Sequence, residues 1–310
     1  MSQAEIADCL IVGGGPAGLT AAIYAARFML RTVVVDAGQS RASQIPCTRN
    51  HAGFPDGISG AALLQRMREQ AIRYGSGMEH GNILAIEGRL GAFSARLADA
   101  PPLRARAVIL ATGVSNIRPA IDEALHAEAL AKGLIRYCPV CDGFEVTDRA
   151  VGVIGHGARA VKEATFLRAY TACVTVLTPA SGIDFDEADA AALAAIGAPI
   201  LRGPPSGFRI EPHGLSVEAG GIRLTFDAIY PALGSQVHSD LAAGLGAKVS
   251  EDGCITVDAH QRTSVPGLYA AGDVVIGLDQ ISHAMGEAGV AATTLRNDLA
   301  AASPLLRPRG

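Results

Sequence analysis

Apolar runs that end in glycine-rich turns divide this chain into strand–helix–strand units. Residues 6–12 are a short apolar run leading into Gly13-Gly14-Gly15-Pro16-Ala17-Gly18, and the helical stretch 19–28 follows. Residues 32–35 are β-branched and apolar, end on Asp36, and predict a second strand. Residues 39–58 carry Gly, Pro, Asn and His and predict an irregular loop over a ligand. Leu63, Leu64, Met67 and Ala71 share one face of a helix predicted over 61–74. Residues 82–96 predict strands with turn chemistry at Gly88 and Gly91. Residues 108–110 predict a buried strand running into Ala111-Thr112-Gly113.

The same unit then recurs. Residues 151–154 predict a strand that runs into Gly155-His156-Gly157-Ala158-Arg159-Ala160, with a helix over 161–170 and a strand over 173–177. An alanine-rich helix over 188–196 and strands within 222–232, ending at Gly234, complete this part. The last third returns to the first unit, with a strand between turns inside 263–273, ending on Asp273, and a closing helix over 281–299. Natural boundaries fall near 114–119 and 234–241. The expected fold class is α/β, with two Rossmann-like three-layer domains: residues 1–116 and 240–310 form a discontinuous first domain, and residues 117–239 form a second inserted in it.

The first turn has the G-x-G-x-x-G spacing between a strand and a helix, with an acid about 20 residues on. Its glycines let the backbone approach a pyrophosphate at a helix N-terminus, and Asp36 is placed to accept from a ribose hydroxyl. The second turn has Ala160 in the third glycine position. At the end of its second strand, where an NAD site wants an acid and an NADP site arginines, the chain reads Thr178-Pro179-Ala180-Ser181-Gly182, and the next arginine is Arg202. Between the two units stands Tyr137-Cys138-Pro139-Val140-Cys141-Asp142-Gly143-Phe144-Glu145. Two cysteines at this spacing can close a small disulfide ring or share a metal. At a helix start, nearby N–H groups favour a thiolate, and Asp142 supplies a candidate proton donor for a departing sulfur. A structural zinc site needs four ligands, and no second pair or spaced histidines accompany these two. A cysteine pair flanked by two nucleotide turns reads as redox chemistry.

At 310 residues the chain is long enough for two ordinary domains. With 49% apolar and 18% charged residues and no long charge run, it is expected to be globular throughout. A net charge of −4 gives no basic footprint for nucleic acid or an anionic membrane. The N-terminal stretch 1–8 is polar and runs straight into the first strand, unlike a secretory leader, and no apolar run reaches the roughly 20 residues of a membrane span. A soluble, cytoplasmic protein in a reducing compartment is expected. Of the six cysteines, Cys9, Cys173 and Cys254 sit in or beside strands and are expected in the core. Cys47, in the loop with Asn50, is expected to be a small buried residue. His51 and His283 are expected as pocket or surface histidines with a possible role as bases.

Gly13-Gly14-Gly15-Pro16-Ala17-Gly18, Ala111-Thr112-Gly113, Cys138-Pro139-Val140-Cys141-Asp142-Gly143, and Gly272-Asp273 followed by Gln280, taken in this order and spacing, resemble the low-molecular-weight thioredoxin reductases over essentially the whole chain. The resemblance implies an FAD-dependent disulfide oxidoreductase, usually a homodimer, with FAD in the split domain and the cysteine pair with a nicotinamide site in the inserted one. It implies Cys141 as the flavin-facing thiolate, Cys138 as the sulfur that exchanges with an outside substrate, and Asp142 as the proton donor. The FAD set it implies is Gly13, Gly15, Pro16, Ala17, Gly18, Asp36, Gln44, Asn50, Ala111, Thr112, Gly113, Gly272, Asp273, Gln280 and Ile281. Asp273 would bind the ribityl chain, and Asn50 and Gln280 would line the flavin ring. The chain departs from the family at 178–182, which lacks the arginines that hold the 2′-phosphate of NADPH, and at Asp279, where the reductases usually have an arginine. Relatives without a nicotinamide site keep the fold and the pair: ferredoxin-fed reductases, and dithiol oxidases that discharge electrons on oxygen. The expected partner is a thioredoxin-like protein or a small disulfide or dithiol, with NAD(P)H use in question. A flavin-binding redox sensor is the reading from another class.

Overall fold

The computed structural model describes residues 6–98, 100–180 and 182–306; residues 1–5 of the polar N-terminal stretch and Ser181 of the neutral turn lie outside the described residues. The chain opens with β1 (Ala7–Val12), α1 (Pro16–Arg27), β2 (Thr32–Asp36), α2 (Gly60–Arg73), β3 (Gly77–His80), β4 (Ile83–Arg89), β5 (Ala92–Leu97), β6 (Leu103–Leu110) and β7 (Val114–Asn116). Its middle holds α3 (Glu123–Ala131), α4 (Pro139–Asp142), β8 (Val151–Gly155), α5 (Gly157–Leu167), β9 (Val174–Leu177), α6 (Glu187–Ala195) and β10 (Ile200–Leu201). Next come β11 (Ser206–Glu211), β12 (Gly214–Ala219), β13 (Ile222–Phe226), β14 (Ala228–Ala232) and β15 (Ser235–Val237). The chain closes with α7 (Asp240–Gly244), β16 (Leu268–Ala270) and α8 (Ile281–Ala302). Contacts divide it into two units, residues 1–43, 60–115 and 237–310 in one, and 44–59 and 116–236 in the other. The loop 44–59 groups with the second unit although it interrupts the first in sequence. Among the described residues no helix is long and apolar enough to cross a membrane.

The first unit is built on a seven-stranded sheet in the order β3-β2-β1-β6-β5-β4, with β16 also paired to β6. The pairs β1–β2, β1–β6, β2–β3 and β6–β16 are parallel, whereas β4, β5 and the start of β6 are antiparallel. The central strands are apolar on both faces because both faces are covered. On one side Cys9, Ile11, Val34 and Ile109 pack with α1 and α8; on the other Leu10, Val12, Val35 and Val108 pack with Ile86, Phe93 and Val274. The register sets Val12 opposite both Val35 and Leu110, so the turns after β1, β2 and β6 emerge along one sheet edge. α1 lies against α8 through alanines, Ala21, Ala22 and Ala25 from one helix and Ala284, Ala288, Ala291 and Ala292 from the other. Side chains this small let the helix backbones approach closely and leave no room to grow.

The second unit has a parallel sheet in the order β10-β9-β8-β14 and an antiparallel sheet β11-β12-β13. Val153, Val176 and Tyr230 pack with Ala160, Ala164 and Leu167 of α5 and Leu193 of α6. The opposite face, with Ile154, Leu177 and Ile229, packs with Phe208, Leu215, Val217 and Phe226 of the antiparallel strands. α5 begins at Gly157, so the helix expected from 161 takes in part of its own glycine turn and ends at Leu167. α3 was not expected. Its start is set by Asp122, whose carboxylate accepts from the N–H groups of Ala124 and Leu125 at 3.0 and 3.1 Å. β3, β11 and β12 also went unread, because these short segments carry too little alternation to stand out. Of the cysteines expected in the core, Cys9 is fully buried, but Cys173 is exposed and Cys254 half-buried. Cys173 misses the core because it ends the turn ahead of β9 and is not part of the strand.

The α1–α8 contact yields a direct prediction. Ala288→Leu forces three extra carbon atoms into a fully packed seam and is expected to cost about 1–3 kcal/mol. Urea unfolding would then show a lower midpoint at an unchanged slope; a midpoint equal to the parent's would mean the helices can separate without loss.

Candidate active site

In the first unit the turns after β1, β2, β6 and β16 carry the residues singled out for a dinucleotide. Gly15 caps α1 and Pro16 opens it, with no side chain capping the first turn, so its N–H groups are open to an anionic ligand. A Cβ on Gly18 would stand 1.8 Å from the Gly13 carbonyl oxygen, so the helix can sit this close to the strand only with glycine there. Gly272 has φ +82°, and its Cβ would stand 2.8 Å from that of Ala17, which makes the turn after β16 a neighbour of the first turn of α1. Ala111 donates its N–H to the Val12 carbonyl at 2.8 Å. The Thr112 hydroxyl donates to the His238 carbonyl at 2.6 Å, and Gly113 has φ +65°. This cradle of backbone and small side chains fits a diphosphate.

Asp36, at the end of β2, is buried. Its carboxylate accepts from Arg68 at 2.6 Å and from the Gly38 N–H at 3.1 Å, and Gly14 packs on it. Asp273 and Asp279 are bridged by Arg41, whose Nη1 reaches them at 3.1 and 2.9 Å. Burial raises the Asp273 carboxyl above its ordinary value, and the charge of Asp279 adds to that, while Arg41 opposes it. Gln280 caps α8 and Ile281 opens it. One turn on, His283 Nε2 lies 3.0 Å from Glu287 Oε1, and Glu287 Oε2 accepts the Gly272 N–H at 2.8 Å. Burial raises the Glu287 carboxyl. Arg41, Arg68 and Glu287 were not anticipated. Only Glu287, four residues beyond His283 on a predicted helix, left a local signal.

In the second unit Cys138 and Cys141 form a disulfide with their Cα atoms 5.2 Å apart. Cys138 is extended and caps α4, Pro139 opens the helix, and the Cys141 N–H points at Cys138 Sγ at 3.1 Å. The motif does start a helix, a single turn long. Asp142 closes that turn, where the Tyr230 hydroxyl donates to Oδ1 at 2.8 Å and Arg136 Nη1 lies 3.0 Å from Oδ2. Burial raises the Asp142 carboxyl, while Arg136 and the Tyr230 hydrogen bond pull it back. Tyr230 is driven upward in turn by burial and by the charge of Asp142. Glu163 on α5 is pushed up to about 7 by burial; Arg159 lowers it and the charge of Asp142 raises it. Asn50 donates to the Val140 carbonyl at 3.5 Å, and Arg49 stands 3.9 Å from Glu145. Asn50 therefore meets the redox motif within this unit, and Gln44 is exposed at the end of a 3-10 turn. Cys47 is half-buried, less enclosed than expected, beside Gly57. His51 stacks on Phe54. Arg136, Tyr230 and Glu163 escaped the sequence reading; a tyrosine in the apolar strand β14 was a sign that its hydroxyl would need a partner.

The second glycine turn leads from β8 into α5, with His156 and Arg159 exposed at its start. At the end of β9, where a dinucleotide ribose is read, Thr178 is fully buried and its hydroxyl accepts the Gly203 N–H at 2.8 Å. Arg202 is paired with Asp184 through Nε at 3.0 and 2.8 Å.

Residues 7–288 match the pyridine nucleotide-disulphide oxidoreductase family. The chain is 32% identical to a thioredoxin reductase of Mycolicibacterium smegmatis over 86% of its own length and 88% of the relative's. It is 31% identical to a thioredoxin reductase of Listeria innocua, over 94% and 93%. Among solved structures, HlmI superposes with a TM-score of 0.86 at 29% identity, covering 96% of this chain and 93% of that one. The thioredoxin reductase of Streptococcus pyogenes superposes with a TM-score of 0.85 at 27% identity, covering 96% and 100%. With two dinucleotide-type folds, a disulfide at a helix start and an acid clamped beside it, the chain belongs to the pyridine nucleotide-disulphide oxidoreductase family and is a thioredoxin reductase-like, FAD-dependent disulfide oxidoreductase.

Proposed function

We propose that the protein exchanges electrons between FAD, held by the turns of the first unit, and the Cys138–Cys141 disulfide, and from there with an external disulfide or dithiol. The observation that carries this reading is the clamp on Asp142 by Arg136 and Tyr230, which fixes an acid next to the reacting sulfurs. The residues assigned to FAD are Gly13, Gly15, Pro16, Ala17, Gly18, Asp36, Ala111, Thr112, Gly113, Gly272, Asp273, Gln280 and Ile281, with Gln44 and Asn50 from the loop. When bound, FAD supplies the two-electron chemistry. The chain's own residues do the rest. The glycine turns and the start of α1 bind the diphosphate, and Asp36 and Asp273 orient sugar and ribityl hydroxyls. Cys138 exchanges with the outside sulfur while Cys141 stays toward the flavin. Asp142 moves a proton at the departing sulfur, whose protonation makes it a better leaving group. A thioredoxin-like protein or a small dithiol is the proposed partner, and a cytoplasmic homodimer is the proposed setting. The relatives named thioredoxin reductase support that partner.

A second reading, the same exchange without a nicotinamide donor, is favoured by Thr178. Its hydroxyl is consumed by the Gly203 N–H where an acid or arginines would recognise a ribose or its phosphate. Electrons would then come from a dithiol or a ferredoxin and leave to oxygen or to the disulfide.

Anaerobic addition of NADPH or NADH to the flavin-loaded protein is expected to leave the flavin absorbance unchanged, while a small dithiol bleaches it. Rapid bleaching by either nucleotide would remove the second reading and keep the first. Cys138→Ser should retain its yellow FAD and lose dithiol–disulfide turnover; full activity would refute the roles given to the two sulfurs. Asp142→Asn is expected to slow turnover by roughly 10²-fold or more, and an unchanged rate would take Asp142 out of the mechanism.

A further inference from the structure

Arg41 opens the 3-10 turn Arg41–Gln44 in the loop after β2. The Ser40 carbonyl holds this turn by accepting the Ser43 N–H at 2.9 Å and the Ser43 hydroxyl at 2.6 Å. Ser40 lies against the start of α1, with its Oγ 3.2 Å from the Cβ position at Gly15, the residue that caps the helix. From this loop the Arg41 side chain reaches the segment between β16 and α8, where Nη1 donates to Asp273 at 3.1 Å and to Asp279 at 2.9 Å. That segment also meets the start of α1, because the Cβ position at Gly272 is 2.8 Å from Ala17 Cβ. Its backbone is pinned by the Gly272 N–H, which donates to Glu287 at 2.8 Å. Arg41 thus joins two segments that both touch the first turn of α1, where uncapped N–H groups suit an anion.

Two features set this arginine apart from a surface ion pair. The Arg41 and Asp273 side chains are only 23% and 20% exposed, so water screens their contact less than at an open surface. Both carboxylates are also met by the same nitrogen. The donors on Nε and Nη2, three of the five N–H groups of a guanidinium, have no protein partner among the described residues. An unspent guanidinium edge matches two oxygens of a phosphate, and two acids on the remaining nitrogen fix its orientation.

We propose that Arg41 is a FAD-binding residue: its guanidinium edge receives the diphosphate of the cofactor, while Asp273 and Asp279 orient it. This rests on the assignment of FAD to the turns of the first unit. The turns that line the cradle, 13–18, 111–113 and 271–273, contain no basic residue, so the backbone N–H groups there face the diphosphate without a full positive charge. Asp279 makes the need greater, since a carboxylate near a diphosphate repels it unless a cation stands between them. The reductases usually carry an arginine at that position. Here the cation reaches the same place from the loop after β2.

The test is FAD affinity, from the rate at which the purified holoprotein releases FAD on dilution and from titration of the stripped full chain, both read by flavin fluorescence. Arg41→Ala is expected to raise the FAD dissociation constant by roughly 10–100-fold, the loss of a charge-assisted contact. Arg41→Lys should lose less, because it keeps the charge without the fork. Asp279→Asn should also lose less than Arg41→Ala, because Asp273 still holds Nη1. Riboflavin, which has no phosphate, should bind Arg41→Ala as it binds the parent, and added salt should speed FAD release from the parent more than from Arg41→Ala. FAD release from Arg41→Ala at the parent's rate would overturn the proposal. So would equal losses for FAD and riboflavin, or a loss in Asp279→Asn as large as in Arg41→Ala, since the ion pair would then only brace the loop. The Arg41→Lys and Asp279→Asn arms stand if Arg41→Ala fails to fold. A parent that takes up no FAD would overturn the cofactor assignment itself, an outcome distinct from a parent that binds FAD and an Arg41→Ala that binds it equally well.

Discussion

Parallel pairing of strands buried on both faces is the constraint on which the rest of this molecule depends. A strand covered on both faces can present backbone and side chains to a ligand chiefly at its ends, so in the first unit the turns after β1, β2, β6 and β16 leave the sheet at one edge. In the first unit the shared register of β1, β2 and β6 sets Val12, Val35 and Leu110 side by side, and Gly13, Asp36 and Ala111 follow in adjacent turns. The alanine seam between α1 and α8 serves the same end, since it holds the glycine-capped start of α1 against the sheet edge.

What these edges hold is mostly carboxylate. Asp36 is neutralised by Arg68, Asp273 shares Arg41 with Asp279, Glu287 is tied to His283 and a backbone N–H, and Asp142 is tied to Arg136 and Tyr230. Each of these acids has a donor, which offsets part of the cost of burying its charge. Where the donors fall short, burial wins, and the carboxyls of Asp273, Glu287 and Asp142 move toward the neutral form. Glu163, with no donor on one oxygen, moves furthest among these acids. The acids thus differ in how many donors they have and in how deeply they are buried.

The departure at 178–182 has a structural counterpart. Thr178 is not merely neutral but spent, since its hydroxyl closes the turn to Gly203 from inside the core. Replacing Thr178 by an apolar residue would leave the backbone N–H of Gly203 without an acceptor, so the turn is held by this side chain as well as by its backbone.

The sequence by itself determined the periodic part of the protein: the strand–turn–helix units, their glycine spacing, the acid after β2, the cysteine pair and the acid beside it. These are legible because hydrophobic periodicity and backbone freedom are local properties of the chain. It left α3 and the strands β3, β11 and β12 unread, where short or weakly amphipathic segments are stabilised by packing more than by pattern. It placed Cys173 in the core because a cysteine beside an apolar strand looks the same one residue inside or outside it. Only the tertiary structure decided which side chains govern the acids. Arg136 and Tyr230 come from residues 6 and 88 positions away from Asp142, and Arg41 and Arg68 approach Asp273 and Asp36 across 232 and 32 positions. Proton affinity depends on burial and on charges within a few ångströms, and neither quantity exists until the chain has folded.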